Sequence, residues 1–111
     1  MIVVNRFRVG DAGEAGQAAF RGDLHAAHAA LAGRPGYLSG TVGRNVDDPG
    51  LWVLTTTWAD PGSYRRALSS YDVKVTVVPV LSRAIDEPSA YEVDDPDGPG
   101  TLNEAVPRQL G

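Results

Sequence analysis

The chain has 111 residues, of which 42% are hydrophobic and 22% charged, and this composition predicts one globular domain with its own core. A formal net charge of −4 without any run of Lys or Arg argues against binding to nucleic acid. The lack of cysteine excludes disulfides, thiol nucleophiles and cysteine metal sites. No apolar stretch approaches the length of a membrane span and the N-terminus lacks the layout of a secretory signal, so we expect a cytoplasmic protein without membrane contact.

The first predicted element is a β-strand over residues 2–9, where apolar and polar residues alternate. Val3, Asn5 and Phe7 share its more apolar face, so Asn5 places a carboxamide among apolar neighbours. A buried amide is stable only when its donors and acceptors are satisfied. Asn5 therefore either makes a structural hydrogen bond to a neighbouring strand or points a donor into a pocket.

A long helix is predicted next, over residues 14–32. Its apolar stripe consists of Phe20, Leu24, Ala27 and Leu31. His28 lies at the edge of that stripe and His25 lies further towards solvent. The two histidines are three residues apart and could share a metal, but no third ligand accompanies them, and we expect no metal site.

The second and third strands are predicted over residues 37–46 and 51–58, joined by a hairpin loop at 47–50. One face of the third strand carries its bulky residues, namely Trp52, Leu54, Thr56 and Trp58. Asp60 and Pro61 follow as an N-cap and a first helical residue. A short second helix carrying Tyr64 should therefore begin directly after Trp58.

Residues 72–85 have two competing patterns. The run 73–78 has the propensity of a strand, whereas Val73, Val77, Leu81 and Ala84 form a helical stripe. We predict a helix that is broken near Pro79. A last short strand is predicted over residues 89–93.

The C-terminal part is acidic and then rich in Pro and Gly. We predict that the folded domain covers residues 1–94. Residues 95–111 should form a tail that is either disordered or packed on a partner subunit.

The predicted order of elements is that of a ferredoxin-like α+β fold, with a four-stranded antiparallel sheet and helices on one face. Four marks occur in this frame: Asn5, Pro35-Gly36-Tyr37, Trp58 and Tyr91-Glu92-Val93. Together they resemble the antibiotic biosynthesis monooxygenase family of dimeric α/β barrels. The resemblance implies a homodimer paired through the sheet face, and a pocket in the cleft on the helix side of each subunit.

One branch of that family forms quinones from phenolic polyketides with O₂ and without metal or flavin. Trp58 and Tyr64 match its pocket Trp and Tyr, whereas Leu54 stands where that branch has an asparagine. The resemblance thus implies a cofactor-free monooxygenase acting on a small aromatic substrate. We expect Asn5 and Trp58 to be catalytic, and the Asn5 amide, the Trp58 indole N–H and the Tyr64 hydroxyl to be the donors that stabilise a phenolate. The substrate-binding residues would be Tyr64, His28, Phe20 and Leu54.

Two alternatives remain open at this stage. A haem-degrading branch of the family is matched at Asn5 and Trp58, but Val77 stands near the position of its haem-ligating histidine. The departures at Leu54 and Val77 also allow a non-catalytic dimer that binds a small aromatic molecule.

Overall fold

The computed structural model describes residues 1–10 and 13–97, and within this part of the chain four strands form one antiparallel sheet. The strands are β1 (Ile2–Arg8), β2 (Tyr37–Arg44), β3 (Leu51–Trp58) and β4 (Ala90–Tyr91). They lie in the order β2-β3-β1-β4, which is the ferredoxin-like order. The predicted α+β fold class is therefore confirmed.

The helices are α1 (Gly13–Ala32), α2 (Pro61–Ser69), α3 (Tyr71–Thr76) and α4 (Val78–Leu81). α2 begins as predicted, because the Asp60 carboxylate accepts a 2.7 Å hydrogen bond from the Ser63 N–H. Residues 72–85 are largely helical, as predicted. The interruption lies at Val77, since Pro79 has no N–H with which to continue the helical hydrogen bonds of α3.

β4 is shorter than predicted because its approach to β1 is interrupted. The Ile85 N–H donates to the Arg6 carbonyl, and the Val4 N–H donates to the Ser89 carbonyl. Between these two contacts the chain bulges away from β1 over residues 86–88. This bulge is tied to β1 by a bidentate ion pair, in which the Arg6 guanidinium donates to Glu87 at 2.7 and 2.8 Å. The Asn5 side chain lies beside this gap.

The core lies between the helices and one face of the sheet. In the sheet its buried residues are Val3, Phe7, Trp52, Leu54, Thr56 and Trp58. The helices contribute Phe20, Leu24, Ala27, Leu31, Ala67, Val73, Val77 and Val80. The opposite face of the sheet carries Ile2, Val4, Leu51 and Val53, which are half-buried. One face of the sheet is thus fully packed, and the other carries these half-buried apolar residues together with Arg6, Thr55 and Thr57.

Most of the predicted tail at residues 95–111 lies outside the described residues, as do residues 11 and 12 of the predicted turn before α1. The domain boundary near residue 94 therefore stays a prediction. In the part of the chain that the structure describes, no helix is both long and apolar enough to cross a membrane.

Candidate functional site

Trp58, the last residue of β3, lies between two tyrosine rings. The ring centroid of Tyr37 is 5.6 Å from that of Trp58 at an interplanar angle of 88°. The Tyr64 ring lies 5.4 Å away at 55°. Both tyrosines are half-buried, whereas Trp58 is only 1% exposed. We call His28, Tyr37, Trp58 and Tyr64 the Trp58 cluster, because His28 contacts Tyr37 as described below.

Local structure fixes the two tyrosines on either side of Trp58. Tyr37 begins β2 and pairs directly with Trp58 in the register of the hairpin. Gly36, just before it, has a φ of +89°, and a Cβ at this position would collide with the Ser63 side chain at the start of α2. Tyr64 is held by α2, which starts three residues after the end of β3 and is capped by Asp60. Glycine at position 36 therefore allows the start of β2 to approach α2 closely.

The indole N–H of Trp58, which we expected to be available to a ligand, already has a partner within the domain. It donates a 2.9 Å hydrogen bond to the Thr56 hydroxyl. The reason is the two-residue period of a strand, which places Thr56 and Trp58 side by side on the same face. A ligand at the Trp58 cluster would instead meet the half-exposed surfaces of Tyr37 and Tyr64.

The Tyr64 hydroxyl is the ring hydroxyl of the cluster that makes no hydrogen bond to any described residue. Burial raises the pKa of Tyr64 above its ordinary value, because the phenolate would lose hydration. The hydroxyl therefore keeps its proton at neutral pH and can donate a hydrogen bond to an anion.

His28 lies at the half-buried edge of α1, as predicted. Its Nε2 atom is 2.6 Å from the hydroxyl oxygen of Tyr37. Gly40 of β2 lies beneath this pair, and a Cβ at that position would be 2.6 Å from Nε2 and 2.7 Å from the hydroxyl. The hydrogen bond between His28 and Tyr37 thus depends on the missing side chain at position 40.

Asn5 lies near the middle of β1, away from Trp58. It pairs with Leu54, four residues before Trp58, which corresponds to about 13 Å along the strand. Its carboxamide makes no hydrogen bond to a described residue. It lines a cavity of about 360 Å³, whose other lining residues are Leu81, Ser82, Ala84, Ile85, Asp86, Glu87 and Ser89. The hydrogen bond from Arg6 lowers the pKa of Glu87, so at neutral pH its carboxylate is ionised and paired with the Arg6 guanidinium.

Phe20 and Leu54 lie inside the core, with exposures of 2% and 1%. The Phe20 ring packs against Phe7 at 5.2 Å and Trp52 at 6.0 Å between ring centroids. A ligand would reach either side chain only after the core had opened. Of the six residues predicted for the site, the structure places Trp58 and Tyr64 in contact and His28 one residue further away, beyond Tyr37.

Two residues with a role in this arrangement, Tyr37 and Gln17, were not among those predicted for the site. Tyr37 links Trp58 to His28. A hairpin closed at 47–50 brings residue 37 near the end of β3, but its pairing with Trp58 also depends on the register shift between Tyr37 and Ser39. Gln17 is buried, donates to the Val9 carbonyl at 2.8 Å and accepts from the Trp52 indole N–H at 2.8 Å. Its signal was a polar residue three positions before Phe20, on the buried face of α1.

The position expected for a haem-ligating histidine is apolar and inaccessible. Val77 is 0% exposed and belongs to the core. In the described part of the chain, no three His, Cys, Asp or Glu side chains are grouped closely enough to hold a metal ion.

Comparison with known proteins identifies the family. A family model described as "Antibiotic biosynthesis monooxygenase" matches residues 1–78. The chain is similar to an Asn-to-Ala variant of SnoaB, a cofactor-independent oxygenase from Streptomyces nogalater, with 26% identity over 76% of this chain and 82% of that chain and a TM-score of 0.64. A second SnoaB structure gives 23% identity, coverage of 87% and 96%, and a TM-score of 0.68.

Rv0793 from Mycobacterium tuberculosis has the same fold, with 18% identity, coverage of 86% and 96%, and a TM-score of 0.63. No curated protein matches the sequence. Because the family model matches well over half of the chain, the protein belongs to the antibiotic biosynthesis monooxygenase family.

Proposed function

We propose that the protein is a cofactor-independent monooxygenase that oxidises a small, electron-rich phenol to a quinone with O₂. The observation that carries the proposal is the Trp58 cluster, in which two accessible tyrosine rings flank a buried indole. Support comes from the 26% identity to a SnoaB variant, because SnoaB is described as a cofactor-independent oxygenase. The haem-degrading alternative lacks such support, since Val77 offers no ligand.

The chemistry requires stabilisation of an anion. The phenol first loses a proton, and the anion then transfers an electron to O₂; one oxygen atom ends in the quinone and the other in water. A hydrogen-bond donor in a site with little water lowers the energy of that anion. The Tyr64 hydroxyl meets this need, because burial keeps it protonated and no described residue accepts its hydrogen.

The two tyrosines also define how the substrate binds. Aromatic rings pair favourably in edge-to-face or offset arrangements. A planar substrate would therefore lie against Tyr37 and Tyr64, with Trp58 supporting both from behind. Asn5 is about 13 Å further along the sheet, so only an elongated substrate with several rings would also reach its carboxamide. Under this proposal, Asn5 binds a polar group at the far end of the substrate.

The test is quinone formation from a panel of anthrones, with and without O₂, because an anthrone becomes a quinone only by gaining an oxygen atom. We expect oxygen-dependent turnover by the wild type and about a tenfold lower kcat for Tyr64→Phe, since one hydrogen bond to an anion is lost. Asn5→Ala should raise KM more than it lowers kcat. Tyr71→Phe is the matched control, because Tyr71 is 79% exposed on α3 and should change neither constant.

Absence of turnover across the panel would contradict the proposal. So would equal activity in the presence and absence of O₂, or a Tyr64→Phe protein with unchanged kinetics.

A non-catalytic binding protein is the second candidate. It is favoured by the indole N–H of Trp58, which is already committed to Thr56, and by the buried Leu54. This candidate predicts saturable quenching of tryptophan fluorescence by the same phenols without any consumption of O₂.

We further propose that two copies pair through the half-buried face of the sheet. Its apolar residues are Ile2, Val4, Leu51 and Val53, and none of the described helices packs on them. An uncovered apolar sheet face of this kind is typical of an interface. Val4→Arg should convert the dimer to a monomer in sedimentation equilibrium. Val46→Arg is its control, since Val46 is 95% exposed in the hairpin loop; equal assembly of both variants would contradict this interface.

A further inference from the structure

The hydrogen bond between His28 and Tyr37 joins an imidazole to a phenol whose ring packs on Trp58. The distance of 2.6 Å from Nε2 to the hydroxyl oxygen is short for a bond between neutral groups. Among the described residues, each of the two side chains is the hydrogen-bond partner of the other and of no further side chain. The pair is therefore a two-group unit rather than part of a larger ion-pair network.

The pair extends from the buried Trp58 ring to the edge of α1. The Tyr37 ring packs against Trp58 at an interplanar angle of 88°, and its hydroxyl contacts His28. Both residues are half-buried, so the hydroxyl lies between the enclosed indole and the imidazole at the edge of α1. A proton taken from a ligand at the cluster would thus have a continuous path towards solvent.

Gly40 shows that the arrangement is sterically demanding. A Cβ there would overlap both Nε2 and the hydroxyl, and it would lie 3.0 Å from the Thr55 carbonyl. Glycine weakens the interior of a strand and often marks a close approach by another group. At position 40 that group is the hydrogen-bonded pair of His28 and Tyr37.

We propose that Tyr37 is a catalytic residue and that His28 is the proton acceptor behind it. The inference rests on the proposed function. In the step, the substrate hydroxyl gives its proton to the Tyr37 oxygen while the Tyr37 proton moves to His28 Nε2. The products are the substrate phenolate, a neutral Tyr37 and an imidazolium at His28. Transfer of the proton from the imidazolium to water restores the pair, and no oxidant is needed in this step.

The chemistry of the two groups supports this order. A neutral phenol oxygen is a very weak base, so Tyr37 can take up the substrate proton only while its own proton moves to an acceptor. Histidine titrates closest to neutrality and accepts at Nε2 when the hydrogen is on Nδ1. The Tyr37 hydroxyl extends the reach of that base to the rings that contact the substrate.

The first test compares Tyr37→Phe and His28→Gln with the wild type. Tyr37→Phe keeps the ring on Trp58 and removes only the hydroxyl. We expect kcat to fall about 10²-fold in Tyr37→Phe, the lower range for general acid–base catalysis, with KM little changed. His28→Gln should lose a similar factor. The matched controls are Tyr71→Phe and His25→Gln, which alter exposed residues of α3 and α1 and should leave kcat unchanged.

A merely structural role for His28 is separated by chemical rescue. Added imidazole should restore much of the activity of His28→Ala by accepting the Tyr37 proton, but it should not restore Tyr37→Phe. Wild-type kinetics in Tyr37→Phe or in His28→Gln would overturn the inference, as would a lack of rescue in a folded His28→Ala protein.

The second test does not depend on oxygenation. A hydroxyanthraquinone, whose colour differs between phenol and phenolate, is bound under anaerobic conditions. The wild type should shift the probe to the phenolate, and both Tyr37→Phe and His28→Ala should bind it as the phenol. A phenolate shift without turnover of any substrate would refute the monooxygenase proposal but retain the proton-transfer pair. Failure of the wild type to ionise the bound probe would overturn the pair.

Discussion

The two tryptophans of β3 lie at its two ends on the same face of the sheet, and their surroundings differ. Both are buried, with exposures of 4% for Trp52 and 1% for Trp58, and both donate their indole N–H to a side chain of the domain. Trp52 packs against Phe20 and lies 4.9 Å beneath the Arg44 guanidinium. Trp58 instead lies between two half-exposed tyrosines.

Because both tryptophans are buried, burial does not distinguish the two ends of β3. The hydrogen-bond partners of the groups around each tryptophan do. At the Trp52 end, both groups of the Gln17 carboxamide are used inside the core, so neither of them is available to a ligand. At the Trp58 end, the Tyr64 hydroxyl has no partner among the described residues, and the Tyr37 hydroxyl is hydrogen-bonded to the His28 imidazole. The first end stabilises the fold, and the second offers groups that can bind an anion and move a proton.

The largest effect on stability is expected from Gln17→Met at the Trp52 end. The change keeps the length of the side chain but leaves the Trp52 N–H and the Val9 carbonyl unpaired in the core. At about 1–3 kcal/mol for each unsatisfied group, we expect a loss of about 3 kcal/mol, measured by urea unfolding. Arg21→Met, on the exposed side of α1, should change stability by less than about 0.5 kcal/mol. An equal effect of both substitutions would contradict the structural role of Gln17.

A smaller loss, of about 2 kcal/mol, is expected from Thr56→Val, because only the Trp58 N–H loses its partner. The affinity of the same two variants for a phenol then shows which end of β3 binds the ligand. Thr56→Val should alter the affinity for a phenol, and Gln17→Met should not as long as the protein is folded. Thr41→Val, at an exposed position of β2, controls for the change from threonine to valine. If Gln17→Met changed the affinity for a phenol and Thr56→Val did not, the site would lie at the Trp52 end of β3, which would contradict the assignment to the Trp58 end.

The smallest expected effect is on the loss of stability in acid, and it comes from Asp60, the N-cap of the helix that carries Tyr64. Hydrogen bonds from the Ser63 backbone N–H and hydroxyl lower the pKa of Asp60. Because the folded pKa lies below the ordinary value, this stabilisation is present above about pH 4 and is lost as the pH falls through the folded value. Asp60→Asn keeps an N-cap acceptor but cannot titrate, so its stability should fall less steeply in acid.

The slope should become shallower without vanishing, because the pKa values of Asp48 and Glu87 are also lowered, by Arg8 and Arg6. Asp72→Asn, an exposed acid of α3, is the control. An acid slope for Asp60→Asn as steep as that of the wild type would contradict the assigned role of Asp60.

Much of the fold was predictable because local signals agreed with the tertiary structure. Asp60 and Pro61 mark the start of α2, and the alternation in β3 gives the buried face. The short β4 was not predictable, since the bulge over residues 86–88 depends on the long-range pair between Arg6 and Glu87. Residues 72–85 were harder to predict, because the same residues have strand propensity and a helical spacing of Val73 and Val77. The helical spacing gave the correct answer.

The site was predictable as a set of residue types but not as an arrangement. The sequence places Trp58 beside the start of α2, which correctly brings Tyr64 to it. It does not show that Thr56 takes the indole N–H, because that choice depends on side-chain rotamers. Nor does it show that Asn5 is separated from Trp58 along the sheet, because the strand register decides that distance.

The most direct test of the central claim uses the fact that the chain has only two tryptophans. A ¹⁵N-labelled protein gives two indole N–H signals in a proton–nitrogen correlation spectrum, which Gln17→Met and Thr56→Val assign. Titration with an anthrone under anaerobic conditions should move the Trp58 signal saturably and leave the Trp52 signal in place. Movement of the Trp52 signal alone, or of neither signal at a concentration that supports turnover, would contradict a site at the Trp58 end of β3.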